Sequence, residues 1–404
     1  MNNRDTALLD FCKSLIGLEG VSGSEGEVAT CLEQEMLRVG FDSVDRDAYG
    51  NVIGKVKGDL PGILMFEGHM DTVGIQDSSV WNFDPYGSDF VDGKLYGRGT
   101  SDMRCALAAM VHAIGYLAKQ GTRNHATLYV VGVVQEEIFE GIGFGKVLDR
   151  ITPDAVVLGE ASELRLMLGQ KGRAELRIET FGKNAHSAHP ERGKNAIEAM
   201  AKVLQRIPQI VTPTSSLLGR GIMIITDIIS HPYPGSSVIP DHCQITIDRR
   251  TLVGETQETL LAEMQEALAL DFPQAPNNKQ TGHSDRKDTL QEFSCTIPCA
   301  TEPCYTGELL GGERFFPAWQ IEEESPLVGF AWEAMRKIGL PTEKGYYPFC
   351  TDGSESSGNR GIPTIGFGPS SPSLAHIIDE YVEFDQVTVA RDVYAELARV
   401  FRAE

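Results

Sequence analysis

VVGVVQEEIFEG, residues 130–141, decides how the chain is read. Four valines around a glycine form too short an apolar run for a helix and lack the alternation of a half-solvated strand. They predict a strand buried on both faces. The run ends in two adjacent carboxylates, Glu136 and Glu137. Like charges side by side repel, so such an ending needs a reason. On a strand, period two would send the pair to opposite faces, leaving each free for a different task.

The pattern recurs. GILMFEGHMD (62–71) ends in His69 and Asp71, and DAVVLGE (154–160) ends in Glu160. PTIGFGP (363–369) is followed by a loop and AHIIDEY (375–381), with His376. GRGTSDMR (97–104) puts Asp102 just before a helical pattern, DMRCALAAMVHAIGYLAKQG. Apolar runs alternating with helical patterns predict an α/β fold: a mostly parallel sheet with helices on both faces. In such sheets sites form at the carboxyl ends of strands, so these residues should converge. Two histidines and several carboxylates suit Zn²⁺, with Co²⁺ or Mn²⁺ as alternatives. Two metals need a bridging carboxylate, and a further carboxylate must stay off the metal to take a proton from water.

The flanks of this core are also legible. Helices fit residues 6–18 and the stretch SGSEGEVATCLEQEMLRVG, with Ser22 or Ser24 as cap and Gly40 as stop. The middle differs: AELRIETFG and DHCQITIDRRTL alternate apolar and polar residues, each followed by a helical stretch. This predicts an inserted α+β domain over 176–318, between catalytic segments 1–175 and 319–404. APNNKQTGHSDRKD (275–288) reads as a polar loop, and EEESPLVGFAWEAMRKIG as an amphipathic helix.

Length and charge set the bounds. The chain has 404 residues, more than one simple core usually holds, and a net charge of -21. That charge repels phosphate backbones and anionic membranes, so neither nucleic acid nor membrane is expected as a partner. No apolar run reaches membrane-span length, and the N-terminus lacks signal-peptide order. Eight scattered cysteines suggest a reducing, cytoplasmic setting. The spacing of Cys295, Cys299 and Cys304 fits no zinc knuckle.

GHMDTV, GKLYGRGTSDMRCALAAM, QEE, GEAS, GKNAHSAHPERGKNAI and AHIIDEYV occur in an order that resembles the acetylornithine deacetylase, succinyl-diaminopimelate desuccinylase, aminoacylase and glutamate carboxypeptidase family of zinc peptidases. The resemblance implies two Zn²⁺ per subunit. One would be held by His69, Asp102 and Glu160, the other by Asp102, Glu137 and His376, with Asp102 bridging. Asp71 would orient His69, and Glu136 would be the general base. It implies that His186, in GKNAHSAHP, reaches the partner subunit's site to stabilise an oxyanion. His189 competes on spacing alone. Arg250, in TIDRR, would grip a substrate carboxylate, with Arg249 on the opposite face of its strand. The inserted domain would act as lid and dimerisation domain of a homodimer.

The chain departs from the family where Ser237 replaces an Asn, where Arg104 and Cys105 replace a Lys-Gly pair, and in YYPFCTDGSESS. These changes are expected in the walls of the substrate pocket, marking a divergent branch. The reaction expected is hydrolysis of the amide of an N-acyl amino acid. The alternatives are a di-, amino- or carboxypeptidase acting on short peptides, and a metal- or amino-acid-binding protein without catalysis.

Overall fold

The computed structural model describes residues 1–121, 123–270, 272 and 293–403. They form two compact units. The first holds Met1–Gln170, Thr301–Gly312 and Ala318–Glu404; the second holds Lys171–Ala300 and Glu313–Pro317. The chain leaves the first unit a few residues before Glu175, between two strands, and returns to it twice. The stretch 275–288 lies outside the described residues.

Helix α1 (Asn3–Ile16) starts earlier than its periodicity predicts because Asn2 caps it, accepting the N–H groups of Arg4 and Asp5. Helix α2 (Gly26–Val39) stops at Gly40, whose φ of 101° suits glycine. Its N-cap is Glu25, not Ser22 or Ser24. Ser22 is drawn instead to Asp71, its Oγ donating to Oδ2 at 2.6 Å.

Then come β1 (Ser43–Arg46), β2 (Val52–Val56), β3 (Ile63–His69), α3 (Arg104–Lys119), β4 (Thr127–Val133), α4 (Ile142–Leu148), β5 (Ala155–Leu158) and β6 (Leu166–Gln170). The second unit supplies β7 (Gly172–Phe181), α5 (Ala196–Arg206), β8 (Ile222–His231), β9 (His242–Thr251), α6 (Gln257–Ala269), β10 (Phe293–Thr296) and β11 (Phe315–Phe316). The first unit ends with β12 (Trp319–Gln320), α7 (Pro326–Ile338), β13 (Lys344–Tyr347), β14 (Thr364–Gly366) and α8 (Phe384–Val400).

The sheet of the first unit runs β1-β2-β4-β3-β5-β14-β6-β12, with β13 also paired to β6. Its central strands β4, β3, β5 and β14 are mutually parallel. The antiparallel pairs β1–β2 and β2–β4 flank them on one side, and β14–β6 and β6–β12 on the other. Both faces are covered. Met65, Val131 and Val156 pack with Phe144 and Val147 of α4. Phe66, one residue on, meets the ring of Tyr394 in α8 edge-on at 5.6 Å. Adjacent strand residues thus serve opposite layers, which is why these runs are apolar without alternation.

The second unit is antiparallel, in the order β8-β9-β7-β10, with β11 also on β7. Here burial alternates along β7 and β9. Leu176, Ile178, Ile245 and Ile247 pack against Met200 and Val203 of α5 and Met264 of α6. Strand β8 lies at the edge, with Ile222, Ile224, Ile228 and Ile229 exposed.

Candidate metal centre

The four parallel strands deliver their polar residues at one end. His69 is the last residue of β3, Glu136 and Glu137 lie just past β4, and Glu160 lies just past β5. His376 comes from the loop after β14, and Asp102 lies two residues before α3. Asp102 stands between the histidines. Its Oδ1 is 2.9 Å from His69 Nε2, and its Oδ2 is 3.0 Å from His376 Nε2. His376 Nε2 is also 3.1 Å from Glu137 Oε2, and His69 Nε2 is 3.7 Å from Glu160 Oε1. Donor atoms of His69, Glu136 and Glu160 lie within 4.8 Å of one another, as do those of His69, Asp102 and Glu137.

Burial and mutual charge shift all six of these groups. Burial, then the charge of Asp102, pushes the Glu160 carboxyl up to about 8. Burial also raises Glu136, against the pull of His69, and raises Glu137 with Asp102 adding to it. Hydrogen bonds to Asp102 and then Glu137 raise His376 to about 10. Burial opposes charge on His69, but its bonds to Asp102 and Asp71 prevail and its pKa rises. Asp102 is lowered despite burial, held by both imidazoles. Four carboxylates crowd two imidazoles, so the donor set fits divalent cations that accept nitrogen and oxygen ligands. Asp102, with one oxygen towards each imidazole, is suited to bridge two of them.

The turn carrying Glu136 and Glu137 corrects the period-two expectation. Strand β4 ends at Val133, and the pair sits in a turn after Gln135, whose φ is 57°. The Asp71 carboxylate sets their direction: Oδ1 accepts Glu136 N–H at 3.1 Å and Oδ2 accepts Glu137 N–H at 3.2 Å. His69 is held chiefly by the Asp71 main chain. Its Nδ1 is 3.0 Å from that carbonyl and 3.6 Å from the carboxylate. A carbonyl only accepts, so Nδ1 bears a proton there, and in the neutral ring it is the lone pair of Nε2 that could be given to a metal.

Other supports had no motif to reveal them. Fully buried Glu380 takes the N–H groups of Gly99 (3.0 Å), Ser101 (2.8 Å) and Asp102 (3.2 Å) on Oε1, and Arg98 (2.5 Å) on Oε2. It shapes the loop presenting Asp102; the only hint in the sequence was a second acid in IIDEY. Asp352 accepts Gly141 N–H at 2.5 Å, and Ser354 Oγ donates to Glu140 O at 2.7 Å, closing the far end of the turn. Arg104 and Cys105 do not stand in a pocket wall. Both are fully buried, and the Arg104 guanidinium donates to the carbonyls of Met70, Leu15, Leu18 and Gly20. Those two departures from the family lie in the packed interior.

His186 and Arg250 belong to the second unit. His186 is exposed, and its Nδ1 accepts Ala188 N–H at 3.0 Å. Exposed His189 lies 3.6 Å from Glu191. Arg250 is paired with Asp248 at 2.8 Å, while Arg249 is buried on the other face and bonded to Glu255 at 2.5 Å. None of the eight cysteines forms a disulfide, and among the described residues no cysteine joins a metal-ligating group. Among the described residues, no helix is long and apolar enough to cross a membrane.

Comparison with known proteins shows the family and the fold. The Escherichia coli protein YgeY, itself uncharacterised, is 32% identical over 393 residues, spanning 96% of this chain and 92% of its own. An acetylornithine deacetylase of Salmonella arizonae is 26% identical over 352 residues, spanning 84% and 80%. The solved fold of aminopeptidase PepT from Bacillus cereus superposes with a TM-score of 0.72 at 20% identity, over 98% of each chain. The model of peptidase family M20/M25/M40 matches residues 65–400. The chain, a hydrolytic enzyme with a cluster of side chains able to hold a metal ion at the carboxyl end of its central strands, belongs to peptidase family M20/M25/M40.

Proposed function

We propose that the enzyme hydrolyses the amide bond of N-acyl amino acids, in the manner of an acetylornithine deacetylase, with two Zn²⁺ per subunit. Co²⁺ and Mn²⁺ are chemically plausible replacements. The observation that carries the reading is the placing of Asp102 between His69 and His376, with Glu136 and Glu160 beside His69. His69, Asp102 and Glu160 would hold one ion, and Asp102, Glu137 and His376 the other. Such ions supply Lewis acidity, lowering the pKa of water and polarising a carbonyl.

The chain's own residues do the rest. Glu136 takes the proton of the attacking water as the C–O bond forms, then returns it to the leaving amine as the C–N bond breaks. Asp71 fixes the direction of Glu136 through its backbone N–H. His186 of a partner subunit donates to the oxyanion. Arg250, released from Asp248, grips the substrate carboxylate with its planar fork. The second unit acts as lid and dimerisation domain, and the exposed isoleucines of edge strand β8 support a homodimer. The cysteines without disulfides support a cytoplasmic location.

Short peptides are the second reading, favoured by the family's character as peptidases. A panel of N-acetyl amino acids and dipeptides, assayed with zinc, separates the two by relative rate. Faster cleavage of dipeptides would replace the first reading with the second. No turnover of any member, with Glu136→Ala binding metal and ligand as the native protein does, would leave a non-catalytic binding protein.

A further inference from the structure

The catalytic turn is gripped along its length by side chains from outside it. Val134 N–H donates to Asn51 Oδ1 at 3.0 Å and Gln135 N–H to Glu25 Oε1 at 3.0 Å. Glu136 and Glu137 N–H donate to the two oxygens of Asp71. Four consecutive backbone donors therefore meet side-chain acceptors from three separate segments, and all three acceptor residues are fully buried. Helix and sheet ladders cannot satisfy such donors once β4 has ended, and an unmet buried N–H is costly.

Glu25 is the unexpected member. Its Oε1 also accepts Gly23 N–H at 3.0 Å, and its Oε2 is buried without a hydrogen-bond partner. Burial, then the nearby Asp71 charge, pushes its carboxyl up to about 7. A simple helix cap would reach the first N–H groups of α2, yet Glu25 makes no such bond. It reaches across to Gln135, the residue whose φ of 57° reverses the chain before the two acids. Gln135 is held again by its side chain, Nε2 donating to Pro303 O at 2.8 Å. Beside that contact, Tyr305 Oη donates to Gly50 O at 2.8 Å. Gly50, with a φ of 103°, lies against the tyrosine ring, where a Cβ would collide.

We propose that Glu25 is a positioning residue for catalysis: by holding the Gln135 N–H, and with Asn51 and Asp71, it fixes the turn that aims Glu136 and Glu137. It touches neither substrate nor metal. The inference rests on the assignment of Glu136 as base and Glu137 as ligand. The role assigned to it is that of an acceptor, through the Oε1 that takes the Gly23 and Gln135 N–H groups, and the amide oxygen of Gln could fill it.

The test compares Glu25→Ala with Glu25→Gln in the full-length, zinc-loaded protein. Misplacing a catalytic group by about 1 Å can cost ~10²-fold, so E25A is expected to lose ~30- to 100-fold in kcat with KM within about twofold. E25Q is expected to stay within about threefold of native kcat, its amide oxygen replacing the carboxyl acceptor. A folded E25A with native kcat, or an E25Q as impaired as E25A, overturns the proposal. If E25A does not fold, Glu25→Asp, one methylene short of Gln135, should show the same loss of kcat, and native kcat there contradicts it. Hydrogen exchange separates this from a failure of the functional reading. Peptides covering 134–141 should exchange at least ~10-fold faster in E25A, with the rest of the sheet unchanged. Unchanged exchange there overturns the proposal even if no amide substrate is found.

Discussion

Glu136 and Glu137 are neighbours in sequence with different surroundings. Glu137 faces His376 and groups with His69 and Asp102, whereas Glu136 groups with His69 and Glu160. If Glu136 is the base, Glu136→Gln should lower kcat by ~10²- to 10⁴-fold while zinc stoichiometry, read by calorimetry, stays native. A loss of bound zinc would mark it as a ligand. Away from the centre, Glu35 gives a pH test of stability. Burial opposes its charge, yet bonds from Arg38 and His112 (2.7 Å) lower its carboxyl below the ordinary value of 4.5. A depressed carboxyl contributes stability that is present above the unfolded pKa and lost as pH falls through the folded one. Thermal unfolding of native protein should therefore weaken below about pH 4.5 more steeply than that of Glu35→Gln. Parallel curves would deny the ion pair that role. The sequence revealed the acids past the strand ends because each followed an apolar run. It could not reveal that Gln135 turns the chain, so period two was the wrong geometry for the pair.

At the scale of elements, the parallel strands and the helices over them were legible from apolar runs, helical spacing and a terminal glycine. The caps were not: Asn2 and Glu25 took roles that spacing assigned to no residue or to Ser22 and Ser24. The supports of the site were least legible. Asn51, Glu25, Glu380 and Asp352 each bond backbone groups far away in sequence, and such bonds leave no periodic trace. Glu380 makes the point testable. It organises three N–H groups of the loop that ends in Asp102, so Glu380→Ala should weaken zinc binding by ~10- to 100-fold without removing a ligand. Native zinc affinity in that variant would show the loop to be held by other means.

At the scale of the molecule, the two units use different sheets for different ends. The first buries a sheet with a parallel centre on both faces and gathers polar groups at the carboxyl ends of those central strands. The second buries one face of an antiparallel sheet and leaves an isoleucine-bearing edge strand exposed. If that edge joins two copies, the pair Ile224→Lys and Ile228→Lys should convert a dimer to a monomer in sedimentation, with fold retained. A native protein that sediments as a fully active monomer would remove the partner-subunit role of His186. A two-metal amide hydrolase should reveal itself in zinc titration of chelator-treated protein, with bound zinc and amide cleavage followed together. The predicted result is two zinc ions per chain, with hydrolysis appearing as they bind and lost again on chelation. Hydrolysis that survives complete removal of metal, or a chain that binds no zinc, would contradict it.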